Sequence, residues 1–242
     1  EITFSPILRE RIGHHISGES WADNIKKELF KRDLMDRPSH IISANMHSVM
    51  NSIYAEMFLP NEASKNDGIS LFELIGNSEN KDLRKIIKKG AGKNGLTFIK
   101  DTTGANIDVQ IIDTEMIDLE KTHYKIKHSK KVKPVIIVMD YAFGEQAYET
   151  LDELLKPFEL ASGDKKHLNI DSVSVMGKAG ILEGVKGDIM IPTSHIFEGT
   201  ADNYPFTNEL KADDLKDEGL DIYEGSMITV LGTSLQNRDI LE

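Results

Sequence analysis

Residues 177–192, GKAGILEGVKGDIMIP, set four glycines, Lys178 and the pair Gly187-Asp188 between two apolar runs. Glycine lets a backbone follow paths closed to other residues and approach a ligand closely, whereas a lysine held inside such a path is costly to bury unless an anion pairs with it. The stretch reads either as the wall of an anion site centred on Lys178 or as a glycine-rich hairpin whose lysine reaches solvent. A second candidate is the junction MDYAFGEQAYET, residues 139–150, where Gly144 stands at the start of a helical pattern. The first N–H groups of a helix lack intrahelical partners and suit an anion, although Glu145 places a negative charge there. The alternative is a turn glycine whose acidic neighbour stabilises its own helix. In SHIFEGTADNYPF, residues 194–206, His195 and Glu198 form either an acid/base couple or a surface pair. His40 and His47, seven apart, are expected on one helix face, but two histidines alone are too few for a metal site. The chain contains no HExxH, GxSxG, GxGxxG or P-loop pattern.

The elements that must position these residues change character along the chain. Residues 1–60 read as helical: in HIISANMHSVMNSIYAEMF the apolar positions Ile42, Met46, Val49, Met50, Ile53 and Met57 recur at three and four, with Ser39 after Pro38 as N-cap and Pro60 as terminator. SLFELIG and NKDLRKIIKKG continue as helix, and GAGKNG, residues 90–95, reads as a turn. From residue 96 the period shortens to two, and LTFIKDTTGANIDVQIIDTEMI reads as a hairpin turning at Thr103-Gly104-Ala105-Asn106. The basic run KHSKKVK, residues 127–133, is either a solvated connector or a phosphate-attracting patch. It divides a helical and hairpin region, 1–133, from an α/β region, 134–242. In the latter, strands are expected at 135–140, 172–177, 188–197 and 226–232, with a helix over GEQAYETLDELLKPF. The expected fold class is α/β, a mixed but mostly parallel central sheet flanked by helices.

Composition narrows the partners. With 242 residues, 40 acidic against 29 basic side chains and a formal net charge of -11, the surface does not suit sequence-independent nucleic-acid binding, which requires displacing counterions from phosphates. No apolar run reaches the roughly 18–20 residues of a membrane helix. Zero cysteines leave neither a disulfide framework nor a thiol nucleophile, which fits a cytoplasmic protein.

Taken in order, VIIVMDYAFGEQAYETLDELLKP, VSVMGKAGILEGVKGDIMIP, EGTADNYPF and GSMITVLGTSLQNRDILE resemble the purine nucleoside phosphorylase and nucleosidase superfamily, and within it the shorter bacterial AMP nucleosidases. The likeness covers residues 134–242. Its specific matches are Gly177-Lys178-Ala179-Gly180 and Glu198-Gly199-Thr200. The resemblance implies N-glycosidic cleavage of a purine nucleotide or nucleoside, with no metal or redox cofactor, in a homo-oligomer. Gly144, Gln146 and Ala147 would line the phosphate or water side. Gly177, Lys178 and Gly180 would line the nucleoside pocket, with Lys178 near a ribose or phosphate anion. Glu198, Gly199 and Thr200 would lie on the nucleotide side, and Thr233 and Ser234 near the sugar. Gly187-Asp188 would fix the start of a strand.

Two departures qualify the implied activity. Family members carry a Met-Glu segment for the ribose hydroxyls and, later, an acid that protonates the leaving purine. Both fall past the segment matching GTSLQNRDILE, so the resemblance implies a fold incomplete at its C-terminus and assigns no catalytic residue here. Glu145, facing the anion side, would repel inorganic phosphate, so the implied reaction is hydrolysis in preference to phosphorolysis. A nucleotide-binding or regulatory protein of the same fold, without catalysis, is the other reading.

Overall fold

A computed structural model describes residues 15–66, 68–122, 132–142, 144–197, 203–215 and 220–229. The chain divides into two compact units, Glu1–Gly177 and Lys178–Glu242. In the first, helix α1 (His15–Lys31) precedes strand β1 (Ser39–Ser43), helix α2 (Met46–Phe58), the short α3 (Pro60–Ala63), α4 (Gly68–Gly76) and α5 (Lys81–Lys93). There follow β2 (Leu96–Ile99), β3 (Val109–Asp113), β4 (Val135–Met139), α6 (Gly144–Leu155), the two-residue strands β5 (Phe158–Glu159) and β6 (Lys165–Lys166), and β7 (Ile170–Val175).

Five strands form one sheet in the order β2-β3-β4-β1-β7. β1 pairs in parallel with β4 and β7, whereas β2–β3 and β3–β4 are antiparallel. The sheet is therefore mixed, not mostly parallel as expected, because the hairpin β2–β3 docks on β4 and contributes both antiparallel pairings. The boundary drawn at residue 134 falls inside this sheet, since β4 begins one residue later and pairs with a strand from the preceding region on each side.

Side chains alternate across the sheet as the pleat requires. Ile41, Ile111, Val135, Ile137 and Met139 pack with Trp21, Ile25 and Leu29 of α1 and Leu154 of α6. Ile112 and Val138 face the other way, onto Met50 and Tyr54 of α2, Leu71 and Ile75 of α4, and Ile87 and Ala91 of α5. Trp21 satisfies its indole N–H on the Ile107 carbonyl at 2.8 Å, so its ring is buried without a stranded donor.

Several local expectations change for identifiable reasons. Ser39–Ser43 is a strand, not the first turn of a helix. A short apolar run flanked by buried serines serves either element, and pairing on both sides decides it. The N-cap of α2 is Asn45, and Pro60 opens α3 where its missing N–H costs nothing. Gly90 to Lys93 continue α5, leaving only Asn94 and Gly95 to turn. Gly95 has φ +95°, and a Cβ there would collide with the Asp113 carbonyl oxygen.

The second unit holds β8 (Ile189–Phe197), β9 (Asn203–Pro205) and β10 (Ile222–Thr229) in a sheet of its own, ordered β10-β8-β9. The strands expected at 188–197 and 226–232 thus pair with each other in parallel and not with the main sheet. Their register slips between Gly225 and Ser226, opposite Pro192 and Thr193, where a proline cannot donate to the ladder.

At the amino end of β4 a single guanidinium gathers three segments. Arg37 donates to the carbonyls of Lys133 (2.9 Å) and Pro134 (3.2 Å) and pairs with Asp113 at 2.8 Å, with its side chain only 13% exposed. Replacing Arg37 by Ala removes one donor from each of these acceptors, although Pro134 keeps the Thr114 hydroxyl and Asp113 the Glu115 N–H. We expect a loss of about 2 kcal/mol in urea unfolding, since hydrogen bonds to charged groups contribute roughly 1.5–3 kcal/mol. An unchanged midpoint would show that the clamp adds nothing.

Candidate functional site

The chain leaves the carboxyl ends of the neighbouring parallel strands β1 and β4 toward opposite faces. β1 runs into α2 on the side of α4 and α5, and β4 runs into α6 on the side of α1. In open α/β sheets such a topological switch point is where ligands bind, because the helices diverge and leave the strand ends uncovered. β7, on the other flank of β1, brings Met176 and Gly177 to the same edge, the Met176 N–H donating to the Ser43 carbonyl at 2.9 Å.

Each contributor to this edge is held by a polar contact. Asn45 Oδ1 accepts from the Ser48 N–H at 3.0 Å and from the Ser48 hydroxyl at 3.3 Å, capping α2. At the end of β4, Asp140 Oδ1 accepts the Tyr141 N–H at 3.0 Å, and the Asp140 N–H donates to the Asp108 carbonyl at 3.0 Å. Gln146, in the first turn of α6, donates its side-chain amide to the Ala105 carbonyl. The hairpin turn thereby anchors the helix start.

That turn is organised by one carboxylate. Asp101 accepts from the N–H groups of Thr103 (2.9 Å), Gly104 (3.2 Å) and Asn106 (2.7 Å) and from the Thr103 hydroxyl (2.7 Å). Partial burial pushes its pKa upward, but the hydrogen bonds from Thr103, Asn106 and Gly104 outweigh it and hold the group below the ordinary carboxylate value. Gly104 at φ +98° and Asn106 at φ +57° supply the left-handed backbone this geometry requires.

Of the residues singled out in the sequence, Gly144 opens α6, while Gln146 and Ala147 are half-buried in its first turns. Gly177 ends the first unit and is exposed. Lys178 and Gly180, both exposed, belong to the second unit, so the run 177–180 straddles the division. A Cβ at Gly177 or Gly180 would have no neighbour within 4 Å, so local crowding does not require glycine at either position. Asp188 Oδ2 accepts the Val185 N–H at 2.7 Å, and Gly187 turns at φ +116°, a closed loop from which β8 starts. Glu198, Gly199, Thr200, Thr233 and Ser234, together with the basic run at 127–131, lie outside the described residues. His40 and His47 do not share a helix face: His40 sits in β1 with Nδ1 2.7 Å from Ser172 Oγ, and His47 is on α2. Among the described residues no cluster of three or more His, Asp or Glu is placed to hold a metal ion, and no described helix is long and apolar enough to cross a membrane.

The sequence reading passed over Asn45, Asp101 and Asp108. Asn45 followed three positions on by Ser48 was a readable cap, hidden by assigning the preceding apolar residues to the same helix.

Two outcomes follow. Asn45→Ala removes the acceptor that caps α2 and is expected to cost about 1 kcal/mol in urea unfolding, the usual magnitude for an N-cap; no change would mean that water replaces it. Because the folded pKa of Asp101 is depressed, its stabilisation is complete above the unfolded carboxylate value, about 4, and is lost as pH falls through the folded value. Asp101→Asn should therefore flatten the acid limb of a stability-against-pH curve, and an unaltered limb would assign that dependence to other carboxylates.

No curated protein and no solved structure matches this chain. Every strand from β2 to β10, and with them the end of β4, the start of α6 and the approach through Gly177, falls within residues 72–242, which match the model of DUF6909, a family of unknown function. The chain belongs to that family.

Proposed function

We propose that this protein cleaves the N-glycosidic bond of a purine nucleotide or nucleoside, with water preferred over phosphate as the acceptor. The observation that carries the reading is the switch point, where the carboxyl ends of β1 and β4 stand between the diverging starts of α2 and α6, with Gly177 arriving beside them on β7. Gly144–Ala147 begin at this edge and Gly177 reaches it, both within the first unit and both in segments likened above to the nucleoside phosphorylases.

In the proposed reaction the bond between C1′ of the ribose and the base nitrogen breaks, water oxygen bonds to C1′, and one proton of that water ends on the departing base. The sugar passes through an oxocarbenium-like state, so positioning of ribose and water and stabilisation of charge supply the catalysis. The first N–H groups of α6 offer donors to an anion, and the cation for a 5′-phosphate, Lys178, enters the proposal through the family likeness. Glu198, Gly199, Thr200, Thr233 and Ser234 enter the proposal through the family likeness. A homo-oligomer, also implied by the family likeness, would find apolar side chains on the edge strand β7, where Val173 and Val175 are exposed, and on Met176 just past it.

The test is base release from AMP, adenosine and inosine, with and without phosphate, the sugar product being identified by mass. Ribose or ribose 5-phosphate in both buffers supports the proposal. A sugar 1-phosphate formed only with phosphate would make the enzyme a phosphorylase, and nucleotide binding without base release would make it a binding protein. Lys178→Ala should weaken AMP by about tenfold, the equivalent of roughly 1.4 kcal/mol, while leaving adenosine nearly unchanged. Equal losses for both would remove Lys178 from the phosphate. Glu145→Gly should increase the phosphate-dependent share of the product, and an unaltered share would show that Glu145 does not face the acceptor.

A further inference from the structure

Helix α5 carries charge in an arrangement that works against its own stability. It has six basic side chains and one acid, Asp82, in a chain whose net charge is -11. Lys81, Lys85, Lys89 and Lys93 follow one another at intervals of four, so each neighbours the next on one side of the helix, and all four are exposed. Like charges at that spacing destabilise a helix, and Lys81, at its first position, also opposes the positive end of the helix dipole. Lys85 is paired with Asp82 at 2.8 Å, but both side chains are more than three-quarters exposed, where such a pair contributes little. No described carboxylate pairs with Lys81, Lys89 or Lys93. The helix is held by its other side, where Ile87 and Ala91 are buried in the core.

A row of mutually repelling cations that the packing does not use is relieved by an anion laid along it, and the dimensions of the row select which kind. It spans about 18 Å of helix, with neighbouring side chains about 6 Å apart. Carboxylates flank both ends: Glu79 lies two residues before Lys81, and the turn at Gly95 pairs with Asp113, next to which stands the exposed Glu115. Outside α5 the chain is more negative still than its total. A bilayer or a long nucleic acid extends past the row and meets that charge within a Debye length of about 8–10 Å, whereas a short segment does not. Carboxylates at the matching spacing are supplied by a helix with Asp or Glu at every fourth residue. Ile86, 48% exposed and three residues from Lys89, adds an apolar contact at the margin of the row. We propose that the outer face of α5 docks an acidic segment of a partner protein, a helix of about three turns whose carboxylates, one at every fourth residue, meet Lys81, Lys85, Lys89 and Lys93. This surface is separate from the reaction proposed at the switch point and does not depend on it.

The test is a titration of the isotope-labelled full chain, followed by amide chemical shifts at low salt. The probes are a capped peptide of four Glu-Ala-Ala-Ala repeats, its isomer with the four glutamates consecutive, phosphatidylserine vesicles and a short oligouridylate. The repeat peptide should move amides of residues 81–93, bind about threefold or more tighter than its isomer, and be displaced when salt shortens the Debye length to roughly 3 Å at about 1 M. Lys81→Gln combined with Lys89→Gln should weaken it by about fivefold, exposed ion pairs being individually weak. The same double variant should keep or raise the urea midpoint, because it removes every neighbouring like-charge contact in the row. Absence of a saturable shift at about 5 mM peptide, an affinity weaker than four exposed ion pairs would give, would overturn the proposal. So would shifts lying away from α5, equal binding of the two isomers, or a midpoint lowered by the double substitution. Stronger binding of the vesicles or the oligouridylate at equal anionic charge would overturn it too, by giving the face to a lipid surface or a nucleic acid.

Discussion

The burial of β1 and β4 against each other and on both faces is the constraint from which the rest of the main unit follows. A parallel strand covered on two sides must have its neighbours' hydrogen bonds and two layers of apolar side chains at once. Ile41 and Ile137 look toward α1 and α6, while Val138 looks toward α2, α4 and α5. Each such side chain, fully buried, contributes on the order of 1.5–3 kcal/mol. A polar substitution in either strand would lose that and strand a polar group besides. Because β1 and β4 each feed a helix, and the two faces both need covering, their helices leave in opposite directions. The switch point is a by-product of covering the sheet.

Polar contacts do what burial cannot, which is to set positions at the edge. The Asn45 cap orients the entry to α2, and the Asp101 carboxylate folds the hairpin turn that receives Gln146 from α6. Two loops distant in sequence are thus registered against one another through a main-chain carbonyl. Arg37 performs the matching task at the opposite end of β4.

The hairpin was legible in residues 96–113 because alternation and the Thr-Gly-Ala-Asn turn point to one structure, and β4 was legible because five successive β-branched or apolar residues admit few others. Helices α4, α5 and α6 were legible from their periodicity. β1 was not, since Ile41 and Ile42 fit the spacing of the helix that follows them, and only pairing with β4 and β7 separates the two. The segment 188–197 read correctly as a strand but carried no mark of which sheet it joins. Of the candidate site, Gly144 and Gln146 could be named from the junction they occupy. Asn45 and Asp101 required knowing where the neighbouring elements begin.

By itself the sequence determined the local states: where alternation, helical spacing and turn residues agree, steric and solvation preferences of a few neighbouring residues suffice to choose strand, helix or turn. It also determined the absence of cysteine chemistry and the acidic balance. Tertiary structure decided which strands share a sheet, that the hairpin joins β4 across the expected boundary, and that the run 177–180 is divided between two units. Those outcomes depend on pairing and burial between residues far apart in the chain, whose free energies exist only once both partners are in place.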